Sequence, residues 1–159
     1  MENANESKVL IVYCSRHLGN TYKIAKVIGE ELNATLKEIS DVTQNEITKY
    51  CLVGFGSGVY AFGMDRKLIK FLKNLENSGK KKVFLFSTSA DPKGLKYHKK
   101  VKKILKNKEF ELIGEFNCQG EYLPFPFLKK LSLNRGKPFP EDIEKAREFA
   151  RELHQKYLK

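Results

Sequence analysis

Residues Val9 to Tyr13, VLIVY, form an uninterrupted apolar run that stops at the polar stretch SRHLGNT and gives way to helical spacing. A short, continuous apolar run bounded by turn residues suits a strand buried on both faces. Such a strand needs a layer packed against each side, which restricts the chain to architectures with helices above and below a sheet. The same alternation recurs along all 159 residues. Further strands are expected at Thr35 to Ile39, at CLVGF (51–55), at VFLFS (83–87) and at FELIGEFNC (110–118).

Between the strands, apolar residues return at helical intervals. Ile24, Val27, Ile28 and Leu32 share one face; Leu68, Ile69, Leu72 and Leu75 share another, behind Asp65 as a cap. Leu95 to Lys106 reads as a basic helix with Val101, Ile104 and Leu105 inward. Ile143, Ala146, Phe149, Ala150, Leu153 and Tyr157 stripe a last helix that follows Pro138 and Pro140. Five strand–helix units in one domain predict an α/β fold: a doubly wound parallel sheet with helices on both faces. Residues 1–7 read as a poorly ordered tail and 8–159 as a single domain. Ligands of such sheets sit at the carboxyl ends of the strands.

The loops at that edge are therefore the informative ones. In CSRHLGNT, Gly19 permits close backbone approach and Asn20 and Thr21 open the next helix, so backbone N–H groups would face an anion. Ser15 and Thr21 add hydroxyls, and Arg16 adds a charge that would pair with a phosphate. A plain helix cap is the alternative. In GSGVYAFGMD (56–65), three glycines accompany Tyr60 and Phe62, which suit stacking on a flat ring or, equally, packing into the core. FSTSADP (86–92) offers Ser87, Thr88 and Ser89 to the edge of a heterocycle. Residues 119–139 form a long aromatic segment in which Tyr122, Phe125 and Phe127 would cover a ligand, close the sheet as a short helix, or join two copies as a homodimer.

Several function classes fall away. No GxxxxGK[ST] is present, which disfavours nucleoside triphosphate hydrolysis, and no GxGxxG follows the first strand. Strand one ends VYCS, without the acidic cluster of a magnesium-dependent phospho-switch. The net charge is +11, of which residues 80–108 carry +10, from eleven lysines against one acid, Asp91. That face would attract an acidic protein or anionic lipid, or would simply be solvated. A nucleic-acid partner lacks support, because no reader motif appears. No apolar run reaches membrane-spanning length, and MENANESK lacks the order of a secretory signal, so a cytoplasmic location is expected. Cys14, Cys51 and Cys118 have no metal-like spacing; buried packing is expected, with reactivity reserved for Cys14 and Cys118 at strand ends.

Taken together, SRHLGNTYKIA, GSGVYAFGMDRKLIKFL and FSTSADP resemble the flavodoxins, in the order and places where that family holds flavin mononucleotide. The resemblance spans Lys8 to Tyr157. The middle segment is similar to the flavodoxin-domain quinone and porphyrinogen dehydrogenases. The likeness implies a five-stranded sheet of order 2-1-3-4-5 and the cofactor FMN. By resemblance, Ser15, Gly19, Asn20 and Thr21 would bind the phosphate, with Arg16 as a substitute for missing hydroxyls and Leu18 as a further cofactor-binding residue of that loop. Ser57, Gly58, Val59, Tyr60, Ala61, Phe62 and Gly63 would flank one side of the ring, and Ser87, Thr88 and Ser89 the other. The chain departs from the family at Arg16, His17 and Leu18, where hydroxyl residues are usual. The implied roles are an electron carrier with an acidic redox partner on the 80–108 face, an oxidoreductase for a small-molecule substrate such as a quinone or porphyrinogen, or a module without flavin.

Overall fold

The computed structural model describes residues 7–16, 18–122, 127, 130 and 132–159. The tail 1–6, His17 and Phe125 lie outside the described residues. The first strand, β1 (Val9–Cys14), is buried along nearly its whole length, as the apolar run requires. It lies between β2 (Thr35–Glu38) and β3 (Leu52–Tyr60), parallel to both. A two-residue strand, β4 (Gly63–Met64), turns back antiparallel on β3. The sheet continues in parallel through β5 (Lys82–Ser89) to β6 (Glu111–Gln119). The order β2-β1-β3-β5-β6 is the expected doubly wound arrangement, with the β4 hairpin as an addition.

Two apolar cores cover the two faces. On one, α1 (Asn20–Leu32) and α5 (Pro140–Tyr157) pack Ile24, Ile28, Ala146, Ala150 and Leu153 over Phe84 and Phe86. On the other, α3 (Arg66–Asn74) and α4 (Lys99–Asn107) pack Leu68, Leu72, Val101 and Leu105 over Phe55 and Leu85. A short helix, α2 (Gln44–Thr48), is set by a capping box in which Thr43 and Glu46 exchange bonds with each other's backbone. None of the described helices is long and apolar enough to cross a membrane.

Three local expectations are corrected. The third strand does not stop at Phe55: its ladder runs on through Ser57 with β1 and through Gly58 with β5. The glycines inside it serve packing rather than a loop. A Cβ at Gly54 would lie 2.2 Å from the Phe84 ring, and one at Gly56 2.1 Å from the Phe86 ring. Those pairs are cross-strand neighbours, so each glycine makes room for an aromatic ring. The basic helix begins as a 3-10 turn over Gly94–His98 before α4. Cys51 is exposed, because it precedes β3 rather than entering it; Cys14 and Cys118 are buried.

Candidate functional site

The carboxyl ends of β1, β3, β5 and β6 converge on one cavity of about 210 Å³. Arg16 and Leu18 line it from the first loop, Asn20 and Thr21 from the start of α1, Gly58, Val59 and Tyr60 from β3, and Thr88 and Ser89 from the end of β5 with Ala90 just beyond it. Gly120, Glu121 and Tyr122 close the far side. The strand ends come together because the parallel ladder aligns them, Cys14 with Ser57, Ser57 with Ser87, and Thr88 with Cys118.

On the first-loop side, α1 begins behind Gly19, whose φ of 68° puts it in the left-handed region and which supplies no side-chain cap. Nothing lies within 4 Å of where a Cβ on Gly19 would stand, so the helix start is open. Asn20 donates from Nδ2 to the Glu121 carbonyl at 2.8 Å, while its Oδ1 is buried without a hydrogen-bond partner among the described residues. A buried orphan acceptor in a cavity wall is costly and marks a place for a ligand donor. The Thr21 and Thr88 hydroxyls meet at 2.9 Å, tying the first loop to β5. Gly120 is required here: a Cβ would stand 2.8 Å from the Asn20 amide.

Arg16 does not reach into the cavity as a free charge. Its Nε and Nη2 clasp the Asp65 carboxylate at 2.6 and 3.0 Å, and its guanidinium lies 4.8 Å over the Tyr60 ring. Asp65 is fully buried and also accepts the Lys67 amide to cap α3. The ion pair therefore staples the first loop to the β4–α3 corner. Glu121 is likewise committed: the Ser132 hydroxyl and the Gly136 amide donate to its carboxylate and hold it below the usual carboxylate range.

Part of the expected set, Ser15, Gly19, Ser57, Ala61, Phe62, Gly63 and Ser87, does not line this cavity. Gly19 acts behind it, by setting the start of α1. Ser15 Oγ accepts the Tyr22 amide. The buried Ser57 hydroxyl donates to the Gly58 carbonyl and accepts the Asp65 amide. Ala61, Phe62 and Gly63 line a second cavity of about 620 Å³ on the other side of Tyr60.

Ser87 belongs to a buried relay that no pattern in the sequence reveals. Its Oγ lies 2.6 Å from His98 Nε2, and His98 Nδ1 lies 3.0 Å from Glu115 Oε1. A carboxylate only accepts, so Nδ1 carries the proton and Nε2 accepts from Ser87. Asn117 Nδ2 then donates to Ser87 Oγ at 2.8 Å, and Lys102 pairs with Glu115 at 3.0 Å. The connectivity is that of a serine–histidine–acid triad. Ser87 and His98 are nevertheless fully buried and line neither cavity, so the relay braces β5 against α4 and β6. The two buried thiols are not poised as nucleophiles either. Burial pushes Cys118 up to about 12, and burial with the Asp65 charge does the same for Cys14. No group of three or more potential metal ligands exists among the described residues.

Comparison with known proteins gives the geometry its context. The model of the flavodoxin domain matches residues 10–132. An uncharacterized protein of Methanocaldococcus jannaschii is 42% identical over 148 residues, covering 92% of this chain and 97% of that one. Among solved structures, oxidised flavodoxin 2 from Bacillus cereus superposes with a TM-score of 0.71 at 22% identity, over 94% of this chain and 99% of that one. A flavodoxin from the domain Archaea gives 0.63 at 14% identity, over 95% and 99%.

Proposed function

Because the chain belongs to the flavodoxin-domain family, we propose that it binds FMN in the strand-end cavity and transfers electrons through it. The observation that supports this reading is the orphan Asn20 Oδ1 beside an uncapped helix start, in a cavity framed by Tyr60 and Tyr122. The cavity volume of about 210 Å³ is below the ~300–1,000 Å³ usual for a whole small-molecule site. It would take the phosphate end, with the flat ring extending over the aromatic mouth. The Thr21 hydroxyl and the first amides of α1 would hold the phosphate, and Asn20 Oδ1 would accept from a hydroxyl of the ligand's ribityl chain. The backbone of Gly58–Tyr60 and Thr88–Ala90 would border the ring. A bound flavin supplies the redox chemistry; the protein binds, orients and tunes it.

Titrating the purified chain with FMN, followed by flavin absorbance, tests the reading directly. Asn20→Asp sharpens the test. The change removes the Nδ2 donor to the Glu121 carbonyl and sets a carboxylate beside that oxygen, so Tm should fall by a few degrees, the favourable charge at the helix start offsetting only part of the loss. The same charge within ~4–5 Å of a phosphate should weaken FMN binding more than about tenfold. Unchanged affinity in this variant would place the phosphate elsewhere.

Charge sets a second expectation. One cation about 10 Å from the more negative, reduced state contributes roughly 1.7 kcal/mol at an effective dielectric of 20, or about 70 mV. With +10 carried by residues 80–108, the midpoint potential should lie above that of an acidic flavodoxin and should fall by tens of millivolts as salt screens the lysines. Potentiometry at low and high ionic strength checks this; a potential indifferent to salt rejects it. The same face suits an acidic redox protein as the electron partner.

A further inference from the structure

Beyond Tyr60 lies the second cavity, of about 620 Å³, within the range of small-molecule sites. Its apolar and aromatic lining is Tyr60, Phe62, Met64, Ile69 and Tyr97. Its other lining residues include five cations, Arg66, Lys96, Lys99, Lys100 and Lys103, and no acid. Lys96 is paired with Asp91 at 2.6 Å, but among the described residues no carboxylate pairs with the other four. Unpaired like charges around one concavity repel each other, and an anion seated between them relieves that repulsion.

Phe62 is the second, independent observation. It is 87% exposed, and its ring leans on that of Tyr97 as a tilted pair with centroids 6.5 Å apart. It occupies a two-residue hairpin turn closed by the Tyr60–Gly63 pair, in which Ala61 and Phe62 have φ of 49° and 64°. Turns with two positive φ values favour asparagine and glycine; alanine followed by phenylalanine is strained there. Strain and exposure together make Phe62 a poor choice for stability alone, and residues so held cluster where ligands bind.

From these features we infer that the groove between the β3–β4 turn and α4 binds a small polyanion carrying a flat aromatic ring. The ring stacks on Phe62 and Tyr97, and its anionic groups meet Arg66, Lys99, Lys100 and Lys103. Concavity favours a small molecule over the flat face of an acidic protein. The site stands on its own residues and does not depend on the flavin reading, although Tyr60 is a wall common to both cavities.

The test is calorimetric titration of the full chain, alone and saturated with FMN, with pyrenetetrasulfonate as a ring-bearing polyanion and inorganic pyrophosphate as an anion without a ring. The expected result is saturable binding of the pyrene probe in both states, at least about tenfold tighter than pyrophosphate, and weakening several-fold as salt rises from about 50 to 200 mM. Lys100→Ala with Lys103→Ala, on exposed faces of α4 where alanine suits a helix, should weaken the probe about tenfold. Phe62→Gly should weaken it comparably while raising Tm by about 2–4 °C, because glycine relieves the strained turn. Four results overturn the proposal: no saturable binding of the probe, equal affinity for pyrophosphate and the pyrene probe, probe affinity unchanged by Phe62→Gly, or probe binding abolished by FMN. The last would make the groove part of the flavin site and leave FMN binding itself intact. Binding of an acidic protein with no binding of the probe would reassign the face to a protein interface.

Discussion

Replacing His98 with alanine is expected to destabilise the protein by about 3 kcal/mol or more, a larger effect than any exposed substitution in the two cavities. His98 is fully buried and accepts from Ser87 while donating to Glu115. Alanine leaves the Ser87 hydroxyl without its acceptor and Glu115 without one donor, each worth roughly 1–3 kcal/mol when buried, and opens a void the size of an imidazole. Asn117 and Lys102 remain to hold Ser87 and Glu115, so the loss stays below the sum of those figures. Urea denaturation should show it as a midpoint lowered by about 1–2 M at a slope near 2 kcal/mol/M. A shift under about 0.3 M would mean that the relay is not formed in solution.

The same residue gives the fold a pH dependence of defined sign. Burial lowers the His98 pKa below the ordinary 6.5, against the opposing pull of the Glu115 hydrogen bond and charge. The unfolded chain therefore binds the proton more readily than the folded one. Stability from this group is complete above pH 6.5 and is lost as pH falls from there toward the folded pKa, at up to about 1.4 kcal/mol per unit. The wild type should lose stability over that window more steeply than the His98→Ala variant. Parallel curves would assign acid sensitivity to other groups.

The architecture is legible in the sequence because its signals are local. VLIVY and VFLFS are each too apolar to be anything but doubly covered strands, and both lie at 0–1% exposure except for the half-buried Tyr13. Glycines disguise the length of β3, since Gly56 and Gly58 look like loop residues until the Phe86 and Tyr60 rings that fill their place are known. Chemistry at the site depends on pairs far apart in sequence. Glu121 completes Asn20 from 101 positions away, and Glu115 reaches His98 only because β6 lies beside β5. No periodicity encodes such meetings. Asp65 is recognisable as the cap of α3, yet its larger role as the partner of Arg16, 49 residues distant, is visible only in the fold.

That ion pair yields the sharpest test of how the cavity is built. Arg16 has 40% of its side chain exposed, whereas the Asp65 side chain is fully buried. Removing the arginine strands a buried carboxylate, which in such pairs costs ~3–5 kcal/mol; the partial exposure of Arg16 reduces the expectation to about 2–3 kcal/mol. Asp65→Asn is milder, about 1 kcal/mol, because asparagine still caps α3 and the freed guanidinium can be hydrated. The double variant Arg16→Ala with Asp65→Asn should then be more stable than Arg16→Ala alone, a non-additivity of about 1–2 kcal/mol. Ligand binding should respond in the opposite sense. An Arg16 released by Asp65→Asn becomes free to pair with a phosphate, so FMN should bind at least as tightly as in the wild type, and Arg16→Ala should leave its affinity within about threefold. If instead Arg16→Ala weakens FMN tenfold while denaturation is unchanged, the arginine is the phosphate clamp and its bond to Asp65 is not what holds the two loops together.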